Sequence, residues 1–144
     1  MGYTLTIGEL HCEEDLAELF MNNFNGTYYV PTVRLEDAPA FGEFTDYTNE
    51  RMPSYAGWAD VTKHTGMTNL MEELMPTGVG FAHLTEKHHH QIKEILHNYR
   101  TKIGFDKKPG YNEGEDPALG RLIWMEYWIS WALKNCKKPV FLNT

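Results

Sequence analysis

A chain of 144 residues, 42% hydrophobic and 23% charged, has the size of one globular domain that can bury a core, and is read as a single domain over residues 1–144. A net charge of −7 argues against a binder of long nucleic acid, whose affinity rests on phosphate contacts. No apolar run approaches the ~20 residues needed to cross a bilayer, and Met1–Leu10 lacks the basic-then-apolar pattern of a secretory signal, so the expected setting is cytoplasmic, with no membrane partner.

In chain order, Tyr3–Ile7 alternates apolar and polar residues and reads as a half-buried strand. Glu13–Phe24 follows as a short helix with Leu16, Leu19, Phe20 and Phe24 at helical spacing, three acids in its first turn and Gly26 as its stop. Thr27–Val33 is β-branched and aromatic, the mark of a second strand, and Pro31 points to a sheet edge or a bulge. Leu35 to about Pro53 is irregular. Ser54 is placed to cap a helix to about His64, with Tyr55, Trp58, Ala59 and Thr62 on one face and Gly66 ending it. Thr68 is placed to cap a short helix, Asn69–Met75.

Leu84–Ile103 has the clearest amphipathic period, with Thr85 as cap and Ile92, Ile95, Leu96, Tyr99 and Ile103 as its buried stripe. Phe105–Pro117 is a polar Pro/Gly loop. Ala118–Cys136 is the most apolar helix, broken only by a stripe of Arg121, Glu126, Ser130 and Lys134, and reads as the spine of the core. Pro139–Leu142 is either a short strand or a packed strap. The sum is an α+β, mostly helical domain with a small two- or three-stranded sheet and a long aromatic-rich loop.

The charge is uneven. Residues 1–83 carry 13 acidic and 3 basic groups, a net of −10, and residues 84–144 carry 7 and 10, a net of +3. The acidic half suits either a small ligand gripped by its few arginines or a basic protein partner. Cys12 and Cys136 form no metal or redox spacing and read as small buried hydrophobes. Lysines around Cys136 favour a thiolate, but its place at a helix C-terminus opposes one.

Three sets of residues carry candidate chemistry. His90, Glu94 and His97 share a helix face at a spacing that suits zinc, or else form a solvated face. Glu126 lies among Trp124, Tyr127 and Trp128, a setting for a raised carboxyl pKa or for a partly exposed glutamate. The third set is Phe41–Asp60, with five rings in twenty residues and neither helix nor strand period. Rings stack on planar ligands, arginine grips anions and asparagine reads a polar edge. Tyr28, Tyr29, Arg34, Tyr47, Asn49, Arg51, Tyr55 and Trp58 are therefore the expected ligand-binding set. The competing reading makes Phe41, Phe44 and Trp58 plugs under a long loop. There is no complete catalytic signature, so no catalytic residue, metal or cofactor is expected.

His83-Leu84-Thr85 resembles one element of the two-histidine phosphoesterases, which use two His-x-Thr/Ser elements; His64-Thr65 has the wrong spacing for the second. Asp46–Asp60 (DYTNERMPSYAGWAD), His83–Ile92 (HLTEKHHHQI) and Arg121–Thr144 (RLIWMEYWISWALKNCKKPVFLNT) resemble segments of small phage and prophage proteins. That resemblance implies a counter-defence or host-takeover factor, a class in which some members sequester a nucleotide immune signal in a compact and often homo-oligomeric cage. The expectation is thus a non-enzymatic binder of a small polar or nucleotide-like ligand. Alternatives are a protein-interaction factor using the acidic half and a metal-dependent hydrolase.

Overall fold

Packing of one long apolar helix against the inner face of a sheet organises the chain, in a computed structural model that describes residues 4–12, 28–33, 48–51, 55–75, 80–104 and 117–143. The described elements are β1 (Leu5–Glu9), β2 (His11–Cys12), β3 (Tyr28–Tyr29), β4 (Glu50–Arg51), α1 (Tyr55–Thr65), α2 (Thr68–Leu74), β5 (Gly80–His83), α3 (Glu86–Ile103), α4 (Pro117–Asn135) and β6 (Pro139–Asn143). The expected α+β class holds. The main sheet has four strands in the order β4-β1-β6-β5, one more than expected, every pair antiparallel, and β2 with β3 forms a separate two-stranded ladder.

The strand period of two splits the sheet into two faces. Leu5 and Ile7 of β1, with Phe141 of β6, join the helical core. Val140 and Leu142 of β6, with Phe81 of β5, form a second cluster on the other face with Leu10 and Val30. β1 is therefore buried on both sides rather than half-buried, and even Thr6 is shielded. The C-terminal segment is a strand, not a strap. It inserts between β1 and β5, and Glu9 fixes its entry by accepting the Lys137 N–H at 3.0 Å and the Lys138 N–H.

α4 is the spine, as its apolar run predicts. Leu119, Leu122, Trp124, Met125, Trp128, Ile129 and Ala132 are all buried. Trp124 and Trp128 each remove roughly 200 Å² from water, a gross stabilisation of about 5 kcal/mol apiece. Arg121, expected on the polar stripe, is instead 8% exposed. Its guanidinium lies 5.8 Å from the centre of the Trp58 ring, a contact that offsets part of the cost of burying a cation.

α1 ends where Gly66 takes a φ of +77°, a left-handed conformation that suits glycine. Met67, not Thr68, precedes α2, whose Leu70, Met71 and Leu74 face the core. In α3, Ile92 and Leu96 are buried, and Ile95, Tyr99 and Ile103 pack partly buried against the same core. Thr85 caps α3 as expected, and its partner is His88, whose Nδ1 accepts the Thr85 N–H at 3.0 Å. Among the described residues no helix is long and apolar enough to cross a membrane. The expected helix Glu13–Phe24 and most of the aromatic-rich loop lie outside the described residues, and in the described part of the expected strand Thr27–Val33, residues 28–33, Tyr28–Tyr29 forms a strand.

Candidate functional site

The expected binding residues separate into different roles. Asn49 is 0% exposed. Its Nδ2 donates to the Ile7 carbonyl and, at 3.3 Å, to the Pro31 carbonyl, and its Oδ1 accepts the Val33 N–H at 2.7 Å. Its backbone continues the pattern, donating to Val33 O at 3.2 Å and accepting from Ile7 N at 3.1 Å. The residue splices β1 to the 30–33 segment and leaves no amide hydrogen for a ligand. Gly8 makes room for it, since a Cβ there would sit 2.9 Å from both Asn49 Nδ2 and Val30 Cγ1.

Trp58 is also turned inward, 6% exposed, with its ring edge-on to Trp124 at 6.2 Å. Trp124 in turn donates its indole N–H to the Thr48 carbonyl at 3.1 Å, tying the residue before Asn49 to α4. Thr32 Oγ1 donates to Glu50 Oε2 at 2.9 Å. Tyr28 and Tyr29 form β3, Arg51 pairs with Leu5 in the sheet, and Tyr55 opens α1. The side chains of these four, and Arg34 and Tyr47 altogether, lie outside the described residues.

A concave site lies elsewhere, between the α1–α2 turn and one face of α3. It is a cleft of about 310 Å³ lined by Thr65, Gly66, Asn69, Leu70, Gln91, Glu94, Ile95 and Asn98. Leu70, 1% exposed, and the partly buried Ile95 supply its apolar part. Asn69, Glu94 and Asn98 are exposed. The Gln91 Oε1 is shut off from solvent and has no hydrogen-bond donor. Leaving such an acceptor unsatisfied costs about 1–3 kcal/mol, so Gln91 stands out in a wall otherwise satisfied or solvated. The hydroxyl of Thr65 donates to the Val61 carbonyl, leaving only its lone pairs for another group.

The histidines are dispersed. His90, Glu94 and His97 are all exposed, and no group of three His, Cys, Asp or Glu able to hold a metal occurs among the described residues. His89 Nε2 lies 3.2 Å from Glu126 Oε1 and joins α3 to α4. Glu126 thus matches the partly exposed reading, with a partner the sequence did not name. Glu73 ties α2 to α3 through Lys87 Nζ and His88 Nε2, each at 3.5 Å. Burial first, and then the Glu9 carboxylate, push the Cys136 thiol up to about 11, which keeps it protonated at neutral pH and suits the structural reading. His83 ends β5 exposed, and Thr85 caps α3.

Sequence reasoning missed the cleft because no motif spans it. The one available signal was Gln91, Glu94 and Asn98 at i, i+3 and i+7, a polar stripe beside the apolar one on α3. No protein-family profile matches this sequence, and no curated protein or solved structure is detectably similar to it.

Proposed function

We propose that this chain is a non-enzymatic binding protein for a small polar ligand, held in the cleft between the α1–α2 turn and α3. One observation carries the reading: a 310 Å³ concavity whose wall includes Gln91, with a buried, unpartnered amide oxygen. Gln91 lines the cleft, and its enclosed acceptor is satisfied when the amide turns to meet a donor that a ligand supplies there. The binding reading is supported further by where the reactive groups sit. His88 caps a helix, His89 pairs with Glu126, and Cys136 is held as a thiol.

A nucleotide-like ligand is the anionic arm of the same proposal, and sequestration of a nucleotide signal, which the phage-protein resemblance implies, falls within it. None of the eight cleft residues is cationic, so a phosphate there would find no charge partner among them.

The test is a thermal-shift and calorimetric panel of neutral sugars, organic cations, amino acids and nucleotides against the full chain. Ligand at 100-fold over its Kd adds about 2.7 kcal/mol of stability, a readily measured shift. Binding that is lost in Gln91→Met, with folding intact by circular dichroism, supports the cleft. Binding untouched by Gln91→Met and Asn98→Ala places the ligand elsewhere and overturns it.

A further inference from the structure

We infer that the cleft between the α1–α2 turn and α3 selects a small organic cation: an ammonium or guanidinium carried on a short hydrocarbon body. This rests on the binding reading above and names the ligand class for that same site.

The donor and acceptor inventory is one-sided. Thr65 has already donated its hydroxyl hydrogen to Val61 O and presents only lone pairs. Gln91 holds a buried Oε1 with no donor. Glu94, on the same wall, is a full negative charge with acceptor oxygens alone. Asn69 and Asn98 each offer an oxygen or an amide and adapt to either kind of ligand. No lysine, arginine or histidine is among the eight lining residues.

The backbone adds to this field. The cleft contains Thr65 and Gly66, where α1 ends, and the partial negative charge of a helix C-terminus favours cations within the last turn. The chain's own basic residues in that turn, Lys63 and His64, are exposed and are not lining residues.

Ile95 sets the rest of the ligand, with the buried Leu70 behind it. It gives an apolar surface for methylene groups, so the hydrocarbon body packs on it while the charged head meets the exposed Glu94 and draws out the enclosed Gln91 amide oxygen. An anion would meet like charge at Glu94 and find no compensating cation. A neutral polyol would reach the same acceptors but forgo the charge-assisted bond, which is roughly twice as strong as a neutral one.

The experiment uses isothermal calorimetry on the full chain with agmatine and putrescine as cationic probes, glucose as a neutral probe, and inorganic phosphate and AMP as anionic probes. The expected result is saturable agmatine binding that weakens with added salt. Glu94→Gln lowers that affinity by about tenfold or more, with an unchanged melting temperature for the free protein because Glu94 is exposed. Glu94→Asp retains most of the affinity, and Gln91→Met loses binding.

Two results overturn the inference in different ways. If glucose binds as well as agmatine and Glu94→Gln is silent while Gln91→Met abolishes binding, the cleft is a site but not one for cations. If agmatine binds but both cleft substitutions are silent, or if no probe binds, the cleft itself is refuted as the site for this class. AMP binding that survives Glu94→Gln and Gln91→Met counts against both the cation and the cleft.

Discussion

Two carboxamides in this protein meet opposite fates. Asn49 and Gln91 are chemically almost the same group, and each has a polar atom withdrawn from solvent. Asn49 satisfies three backbone partners from two segments far apart in sequence. Gln91 Oε1 meets none and belongs to a residue of the cleft wall. Density of ligand-competent side chains therefore does not mark a site. Asn49 lies in the part of the chain richest in rings and amides and serves the fold. Gln91 lies on an ordinary amphipathic helix and keeps hydrogen-bonding capacity open.

The largest expected effect tests this contrast directly. Asn49→Leu keeps the volume but strands the Ile7 and Pro31 carbonyls and the Val33 N–H, and should cost about 3 kcal/mol or more in urea unfolding. Gln91→Met, equally apolar and similar in shape, removes an acceptor that has no partner and should be neutral or stabilising by up to about 1 kcal/mol. If the two substitutions cost the same, the distinction between committed and open amides collapses. Gly8→Ala should destabilise in the same direction as Asn49→Leu, because its new methyl would meet Asn49 Nδ2 and Val30 at 2.9 Å.

The two tryptophans that face each other sharpen the comparison on a smaller scale. Trp124 donates to Thr48 O, whereas Trp58 Nε1 makes no hydrogen bond despite its burial. Replacing each by Phe removes similar ring area. Trp124→Phe also removes the bond to Thr48 O, so it should cost about 1–2 kcal/mol more than Trp58→Phe. Equal losses in matched denaturation curves would show that the Trp124–Thr48 bond does not hold the 48–51 segment against α4.

Much of the helical framework was legible because its signals are local. The apolar run of α4, the stripe Ile92/Ile95/Leu96/Tyr99 of α3 and the stop at Gly66 are each contained in one window of sequence. The sheet was less legible, because its order depends on pairing between distant segments. Nothing within Pro139–Asn143 reveals that it lies between β1 and β5. The role of Asn49 was hidden for the same reason, since its partner Ile7 lies 42 residues away. Arg121 looked like part of a wet stripe because the periodicity of α4 contains no trace of Trp58. The cleft joins the end of α1, the start of α2 and the middle of α3, and those of its residues that the sequence singles out, such as Gly66, Glu94 and Ile95, stand out for other reasons.

Gly66 allows a cleaner test of the turn that frames the cleft. Its φ is +77° and a Cβ would meet nothing within 4 Å, so Gly66→Ala isolates backbone strain from crowding. The expected loss is about 1 kcal/mol. Gly66→Asn should recover part of it, since asparagine tolerates the left-handed region better than alanine. A silent Gly66→Ala would mean that the turn relaxes, and the cleft would then lack a rigid rim.

The smallest expected effect concerns pH and the cap of α3. His88 Nδ1 accepts the Thr85 N–H, so the cap needs the neutral ring, and Nε2 faces Glu73. Burial is the main cause that lowers the His88 pKa below its ordinary 6.5; Glu73 acts in the opposite direction and Lys87 adds to the lowering. A base whose folded pKa is depressed binds fewer protons folded than unfolded just below pH 6.5. Stability therefore falls as pH drops through that value, and the loss levels off beneath the folded pKa. His88→Gln preserves an acceptor at this position of the capping box and does not titrate. Its stability near pH 7.5 should lie within about 0.5 kcal/mol of the parent, with a shallower acid slope between about pH 6.5 and 5. The difference between the two urea-derived curves isolates His88 from the other histidines. A parent that gains stability relative to His88→Gln on acidification would reverse the sign: the attraction of Glu73 for an imidazolium would then outweigh both burial and the cap.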